Sequence, residues 1–140
     1  MLARGEHAGT TLVVARRWDG APLAPREHTR VTFAWVDDGT FLRVDVDASF
    51  YADAPPSTPP GSTERLWERE VVELFIADAA ERYLEIELGP HGHYLVLELD
   101  GVRRPVHVGL PIEYESELVE SPGVGNGGIG RFVGRARVPA

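Results

Sequence analysis

The 140-residue chain has no cysteine, which excludes disulfide staples, thiolate metal sites and cysteine nucleophiles together. It has no lysine either: all 14 basic residues are arginine, so Schiff-base chemistry and a P-loop lysine are also excluded. Glutamine is missing, and Met1 is the single methionine. No apolar run approaches the ~20 residues that a membrane-crossing helix needs. Met1 to His7 contains no apolar segment, so a secretory leader is not expected. Positive charge is scarce as well. The net charge of −8 makes a nucleic-acid backbone a poor partner for this surface. What is present is globular in proportion, 43% apolar and 26% charged, and long enough for one domain over residues 1–140. These features describe a soluble, acidic domain, expected in the cytoplasm and without a membrane partner.

The dominant pattern has a period of two. Leu42, Val44, Val46, Ala48 and Phe50 alternate with Arg43, Asp45 and Asp47. Leu84, Ile86 and Leu88 alternate with Tyr83, Glu85 and Glu87, and Leu95, Leu97 and Leu99 keep one register. Phe132, Gly134, Ala136 and Val138 alternate with Val133 and three arginines, and Thr29 to Val36 places Val31, Phe33 and Trp35 on one parity. Each run suits a strand with one face on a core and the other toward water. The pairs Asp38-Gly39 and Asp100-Gly101 join such runs, and Asp-Gly is the favoured pair of a two-residue type I′ hairpin. A third pair, Asp19-Gly20, ends the first apolar run.

The segment from Glu64 to Ala80 carries both periods. Trp67, Val71, Leu74 and Phe75 fit a helical stripe, whereas Val72, Leu74 and Ile76 fit one face of a strand. Its β-rich flanks, together with the resemblance given below, favour a strand over Val71 to Ile76. Tyr51 to Thr63 holds four prolines, which cannot join a central ladder, and Ser121 to Gly130 holds five glycines. Both read as loops. The predicted fold is an all-β antiparallel sandwich, jelly-roll-like, lacking its C-terminal strands.

Three segments resemble a family pattern: Arg17-Trp18-Asp19-Gly20-Ala21-Pro22, Leu66-Trp67-Glu68-Arg69-Glu70-Val71-Val72-Glu73-Leu74-Phe75, and Tyr83 to His93. The chain resembles an uncharacterised family, bacterial and vertebrate, related to family 9 carbohydrate-binding modules and DOMON-like domains. The likeness covers essentially the whole chain and implies a β-sandwich built for binding. In family 9 modules a sugar is gripped between two tryptophans, with carboxylates or amides on its hydroxyls. The sugar's C–H face packs on an indole while planar acceptors fix the hydroxyl donors. Trp67 followed by Glu73 resembles the first tryptophan and its carboxylate. Six extended steps span about 20 Å, so Trp67 has to fold back over the sheet if both are to touch one sugar. Family members continue beyond the segment matching Arg135 to Pro139, so the chain is either a fragment or a shortened relative. In the second case an exposed edge strand able to self-associate is expected.

The expected ligand-binding set is Trp67 to stack, Glu73 to accept hydroxyl hydrogen bonds, and Tyr83, Arg82 and Glu85 to line the same region. The bland alternative for Trp67 and Glu73 is a rim tryptophan near a solvated carboxylate. His91 and His93, with Glu85 and Glu87 nearby in sequence, have a spacing that could hold a structural divalent metal, although histidines at turns more often bond backbone. No other cofactor is expected. Some DOMON relatives bind haem through Met and His, and a single terminal methionine disfavours that mode. Glu68, Glu70, Glu73, Glu85 and Glu87 could supply paired carboxylates for glycoside hydrolysis, though alternating carboxylates are more often a strand's wet face. Gly123, Gly125 and Gly128 satisfy G-x-G-x-x-G, but a strand and not a helix follows. Arg103, Arg104, Arg131, Arg135 and Arg137 could hold an anion; pairing with the excess Asp and Glu is the favoured reading.

The leading expectation is thus a non-catalytic domain for a small molecule, foremost a carbohydrate. The alternatives are a metal-dependent enzyme using His91, His93 and a carboxylate, or an interaction module using an open sheet edge.

Overall fold

The alternating runs form two packed sheets, seen in a computed structural model that describes residues 9–140. The Met1 to His7 segment and the haem argument from Met1 lie outside the described residues. Ten strands follow in order: β1 Thr10–Val14, β2 Thr29–Val36, β3 Phe41–Phe50, β4 Gly61–Ser62, β5 Val72–Ala77, β6 Arg82–Leu88, β7 His93–Asp100, β8 Pro105–Val108, β9 Glu113–Glu120 and β10 Gly130–Pro139. Among the described residues the only helices are four single 3₁₀ turns, so the fold is all-β. The first sheet has the order β1-β2-β3-β10-β9. The second runs β4-β7-β6-β5, with β8 also on β7. All pairings are antiparallel except the short β4–β7 contact.

The core lies between the sheets and is built from the parities seen in the sequence except on β7, where Val96 faces it and Leu95, Leu97 and Leu99 turn outward into a second cluster. Val31, Leu42, Val44, Val46, Ala48, Phe132, Ala136 and Val138 from the first sheet meet Leu74, Ile86, Leu88 and Val96 from the second. Gly134 interrupts this apolar row for a steric reason. A Cβ there would lie 2.5 Å from the hydroxyl of Tyr114, whose O–H donates to the carbonyl of Gly89 (2.6 Å) and so ties β9 to the second sheet.

Two local expectations are corrected. The Asp38-Gly39 connection is not a two-residue hairpin: Val36 pairs with Phe41, which leaves four residues between them. Asp37, Asp38 and Gly39 all take positive φ, and the Thr40 amide donates to the carbonyl of Asp37. The Asp100-Gly101 connection is also longer, with the amide of Asp100 donating to the carbonyl of Arg104 and a register shift between Glu98 and Leu99. The last strand is not an open edge. β10 is central, paired along one side with β3 from Gly130 to Pro139 and along the other with β9. The edges fall instead on β1 and β9 of the first sheet, and on β5 and the short β4 and β8 of the second.

The segment with two periods resolves into both local forms. Leu66–Glu68 makes a 3₁₀ turn and Val72–Ala77 a strand. The glycine-rich segment holds a 3₁₀ turn, Val124–Asn126, and then enters β10, so its G-x-G-x-x-G does not precede a helix.

Candidate functional site

Strand alternation divides the second sheet into two faces. Leu74, Ile86, Leu88 and Val96 face the core; Glu73 and Phe75 on β5, Tyr83, Glu85 and Glu87 on β6, and Leu95, Leu97 and Leu99 on β7 face outward. On that outer face Glu73 pairs across the ladder with Glu87, Phe75 with Glu85, and Glu87 with Leu95.

The face is wet at one end and dry at the other. Leu66, in the turn after β4, is buried against Leu95, Leu97 and Leu99, with Val71 and Tyr83 beside them. Exposure therefore falls across the acidic trio: Glu73 is exposed, Glu85 half-buried, and Glu87 is 0% exposed. Glu70, at the start of this segment, accepts hydrogen bonds from the amides of Tyr51 (2.6 Å) and Asp53 (3.3 Å), which fastens the proline-rich loop to the sheet.

Glu73, Glu85 and Glu87 each offer a carboxylate oxygen, and the three lie within 4.8 Å of one another. Among the described residues, no Arg or His nitrogen forms an ion pair with any of them. Both carboxylate oxygens of Glu87 are buried without a hydrogen-bond partner. Burial, followed by the neighbouring Glu73 and Glu85 carboxylates, pushes the Glu87 carboxyl up to about 8. Burial and then Glu73 push Glu85 upward as well. A buried charge in this state needs a proton, or a cation, to be tolerated.

Aromatic groups border the acids. Trp67 sits in the Leu66–Glu68 turn and is 50% exposed, and Phe75 is 55% exposed. Phe75 and Tyr83 pack with ring centroids 6.3 Å apart. The turn that carries Trp67 is anchored on the outer face through Leu66, which packs on Leu95, Leu97 and Leu99.

Of the residues expected at one site, Glu73, Tyr83 and Glu85 share this face and Trp67 stands in the turn over it. Arg82 does not join them. Its alternation points it the other way, and it is paired with Asp78 in the preceding turn (Nη2 to Oδ2 2.9 Å). The histidines are a second correction. His93 is buried, and its Nε2–H donates to the carbonyl of Thr58 (2.8 Å); His91 packs edge-on against Phe50 (5.7 Å). Among the described residues, no set of three His, Asp or Glu that includes either histidine has ligand atoms converging. Phe75 and Glu87 belong to the face but were absent from the expected set. Phe75 could have been found by its shared parity with Glu73. The burial of Glu87 could not, because the strand's own pattern marks it as wet.

The arginines of β10 follow the favoured reading. Arg131 pairs with Asp47, Arg135 with Asp45, and Arg137 with Asp37 and Glu113.

Over 111 residues, 77% of its length, the chain is 36% identical to the human protein named UPF0462 protein C4orf33. Its curated relatives carry the UPF0462 name. The zebrafish homologue is 33% identical over 111 residues, covering 77% of this chain, and the rat homologue 43% over 89 residues, covering 61%. The chain spans about half the length of these relatives, 54%, 55% and 43% respectively. Their names state no ligand or activity, and none of these comparisons shows a relation to family 9 modules or DOMON-like domains. No protein-family model matches the chain, and no solved structure matches it. Among the described residues, no helix is long and apolar enough to cross a membrane.

Proposed function

We propose that the chain is a non-catalytic ligand-binding β-sandwich whose site is the outer face of β5 and β6, and that its ligand is polyhydroxylated, foremost a carbohydrate. The observation that carries the reading is the joining of exposed aromatic rings to converging acceptors. Trp67, in a turn folded over the face, and Phe75 offer flat apolar surface, while Glu73 and Glu85 offer carboxylates. A sugar needs both, one for its C–H face and one for its hydroxyls. The resemblance of Trp67 and Glu73 to the tryptophan and carboxylate of family 9 modules supports the same choice of ligand. Lining residues are Trp67, Glu73, Phe75, Tyr83 and Glu85.

The test is a titration with neutral mono- and oligosaccharides followed by tryptophan fluorescence and calorimetry. Saturable binding that Trp67→Ala and Glu73→Gln both remove, and that Trp18→Ala leaves intact, supports the reading. Trp18 is 96% exposed and far along the chain from this face, so it reports general stickiness. Absence of binding, or binding that survives Trp67→Ala, overturns it.

A further inference from the structure

We propose that Glu73, Glu85 and Glu87 form a binding site for a divalent, oxygen-seeking cation of the size of Ca²⁺. The site goes beyond the sugar reading and is tested apart from it, although Glu73 and Glu85 serve both.

Three observations carry the assignment. The first is convergence: three carboxylate oxygens from two adjacent strands lie within 4.8 Å of one another. Two oxygens held by one Ca²⁺ at ~2.3–2.6 Å can be at most about 4.6–5.2 Å apart. The observed limit is therefore compatible with a shared ion of this radius before any side chain moves. Mg²⁺, at ~2.0–2.1 Å, demands a stricter octahedron and keeps more of its water.

The second is Glu87 itself. It is 0% exposed, and neither of its carboxylate oxygens has a hydrogen-bond partner. Buried polar groups in folded proteins are nearly always partnered, so a group of this kind marks where a partner from outside the chain belongs. One of those oxygens belongs to the convergent set.

The third is that, among the described residues, the trio has no counter-charge from the chain. Elsewhere the chain pairs outward-facing acids with arginine, as in Asp45 with Arg135 and Asp47 with Arg131. Among the described residues none of the three glutamates has an Arg or His in an ion pair. Three carboxylates without a cation repel one another; one divalent ion neutralises two of the charges and satisfies the orphaned oxygens. The ligand set is hard oxygen only, which favours Ca²⁺, Mn²⁺ or Mg²⁺ over Zn²⁺ or Cu²⁺. The exposed end, at Glu73, leaves room for water among the 6–8 oxygens that Ca²⁺ takes.

The experiment is a Ca²⁺ titration of chelator-treated protein, without sugar, at constant ionic strength, followed by calorimetry and by thermal unfolding. One saturable site with Kd of roughly 10⁻⁶ to 10⁻³ M is expected, with weaker Mg²⁺ binding. At about 100-fold Kd the melting temperature should rise by roughly 5–10 °C. Glu87→Gln should remove the heat and the shift, and Glu85→Gln, at a less buried position, should weaken binding at least tenfold and serves if the first variant fails to fold. Absence of saturable binding up to 10-fold above the weakest Kd of that range, or binding unchanged in Glu85→Gln and Glu73→Gln, overturns the proposal. Because no sugar is present, failure of the sugar reading leaves this result untouched, and failure here leaves the sugar titration open.

Discussion

The outer faces of the two sheets carry the same kind of sequence and reach opposite electrostatic states. On the first sheet, Arg43, Asp45 and Asp47 of β3 alternate with core residues, and β10 lies beside them with arginines. Arg135 stands directly across from Asp45 and its Nε donates to Asp45 Oδ1 (2.6 Å). Arg131 donates to Asp47 (2.7 Å) and to the carbonyl of His28 (2.8 Å). On the second sheet, Tyr83, Glu85 and Glu87 of β6 alternate with core residues in the same way, but Glu85 lies between Phe75 and Leu97, and Glu87 between Glu73 and Leu95. An acid opposite an arginine is a solvated pair; an acid opposite another acid, under a leucine turn, is a group held away from its ordinary state. The cross-strand neighbour and the cover decide the difference, and the strand's own pattern does not.

Four substitutions break or sharpen this contrast. Leu66→Ala has the largest expected effect. Leu66 is 1% exposed and anchors the turn on Leu95, Leu97 and Leu99, so its truncation should lower stability by about 2–4 kcal/mol in urea unfolding. It should also admit water to the dry end of the face and bring the Glu87 carboxyl down toward its ordinary value. Unchanged Glu87 titration in this variant would show that the turn is not the cover.

Glu87→Gln comes next and acts in the opposite direction. A carboxyl raised from 4.5 to about 8 in the folded chain binds more protons folded than unfolded between those values. Its stabilising contribution is therefore present below about pH 4.5 and is lost as pH rises toward 8. With chelator present, the variant should be more stable than the parent by on the order of 1–3 kcal/mol at pH 8.5 and equal to it near pH 4. Parallel pH–stability curves for the two proteins would contradict this.

Phe75→Arg would give the second sheet what the first already has, a cation directly across from Glu85. Phe75 is half-exposed, so the change should raise stability at pH 8 by at most about 1 kcal/mol and abolish cation binding. Retained Ca²⁺ binding would show that the cation sits elsewhere. Asp45→Asn is the mildest. The partly exposed pairs with Arg43 and Arg135 should account for ~0.2–1 kcal/mol, and the loss should shrink in 1 M salt. A salt-independent loss would point to packing in place of charge.

The strands most legible in the sequence are β3, β6 and β10, because a half-buried strand writes its burial into every second residue; β7 is covered on both faces, and its leucine parity points away from the main core. β9 is harder to read. Its inward side is Tyr114, Ser116 and Leu118, with only a weak apolar signal between four glutamates. β8 is short and begins with Pro105. The Asp-Gly pairs marked turns correctly but not their lengths, which are set by the register of Val36 on Phe41. At the site, parity placed Glu73, Tyr83 and Glu85 together. It could not show that Glu87 is dry, nor that Arg82 is already engaged by Asp78.

The most direct measurement is the carbon-13 resonance of the Glu87 side-chain carboxyl, followed by NMR through a pH titration in chelator. A midpoint near 8, well above that of an ordinary glutamate, is predicted for a carboxyl buried beside two others without a counter-charge. A midpoint near 4.5 would mean that Glu87 is solvated or paired, and the contrast between the two faces would fail.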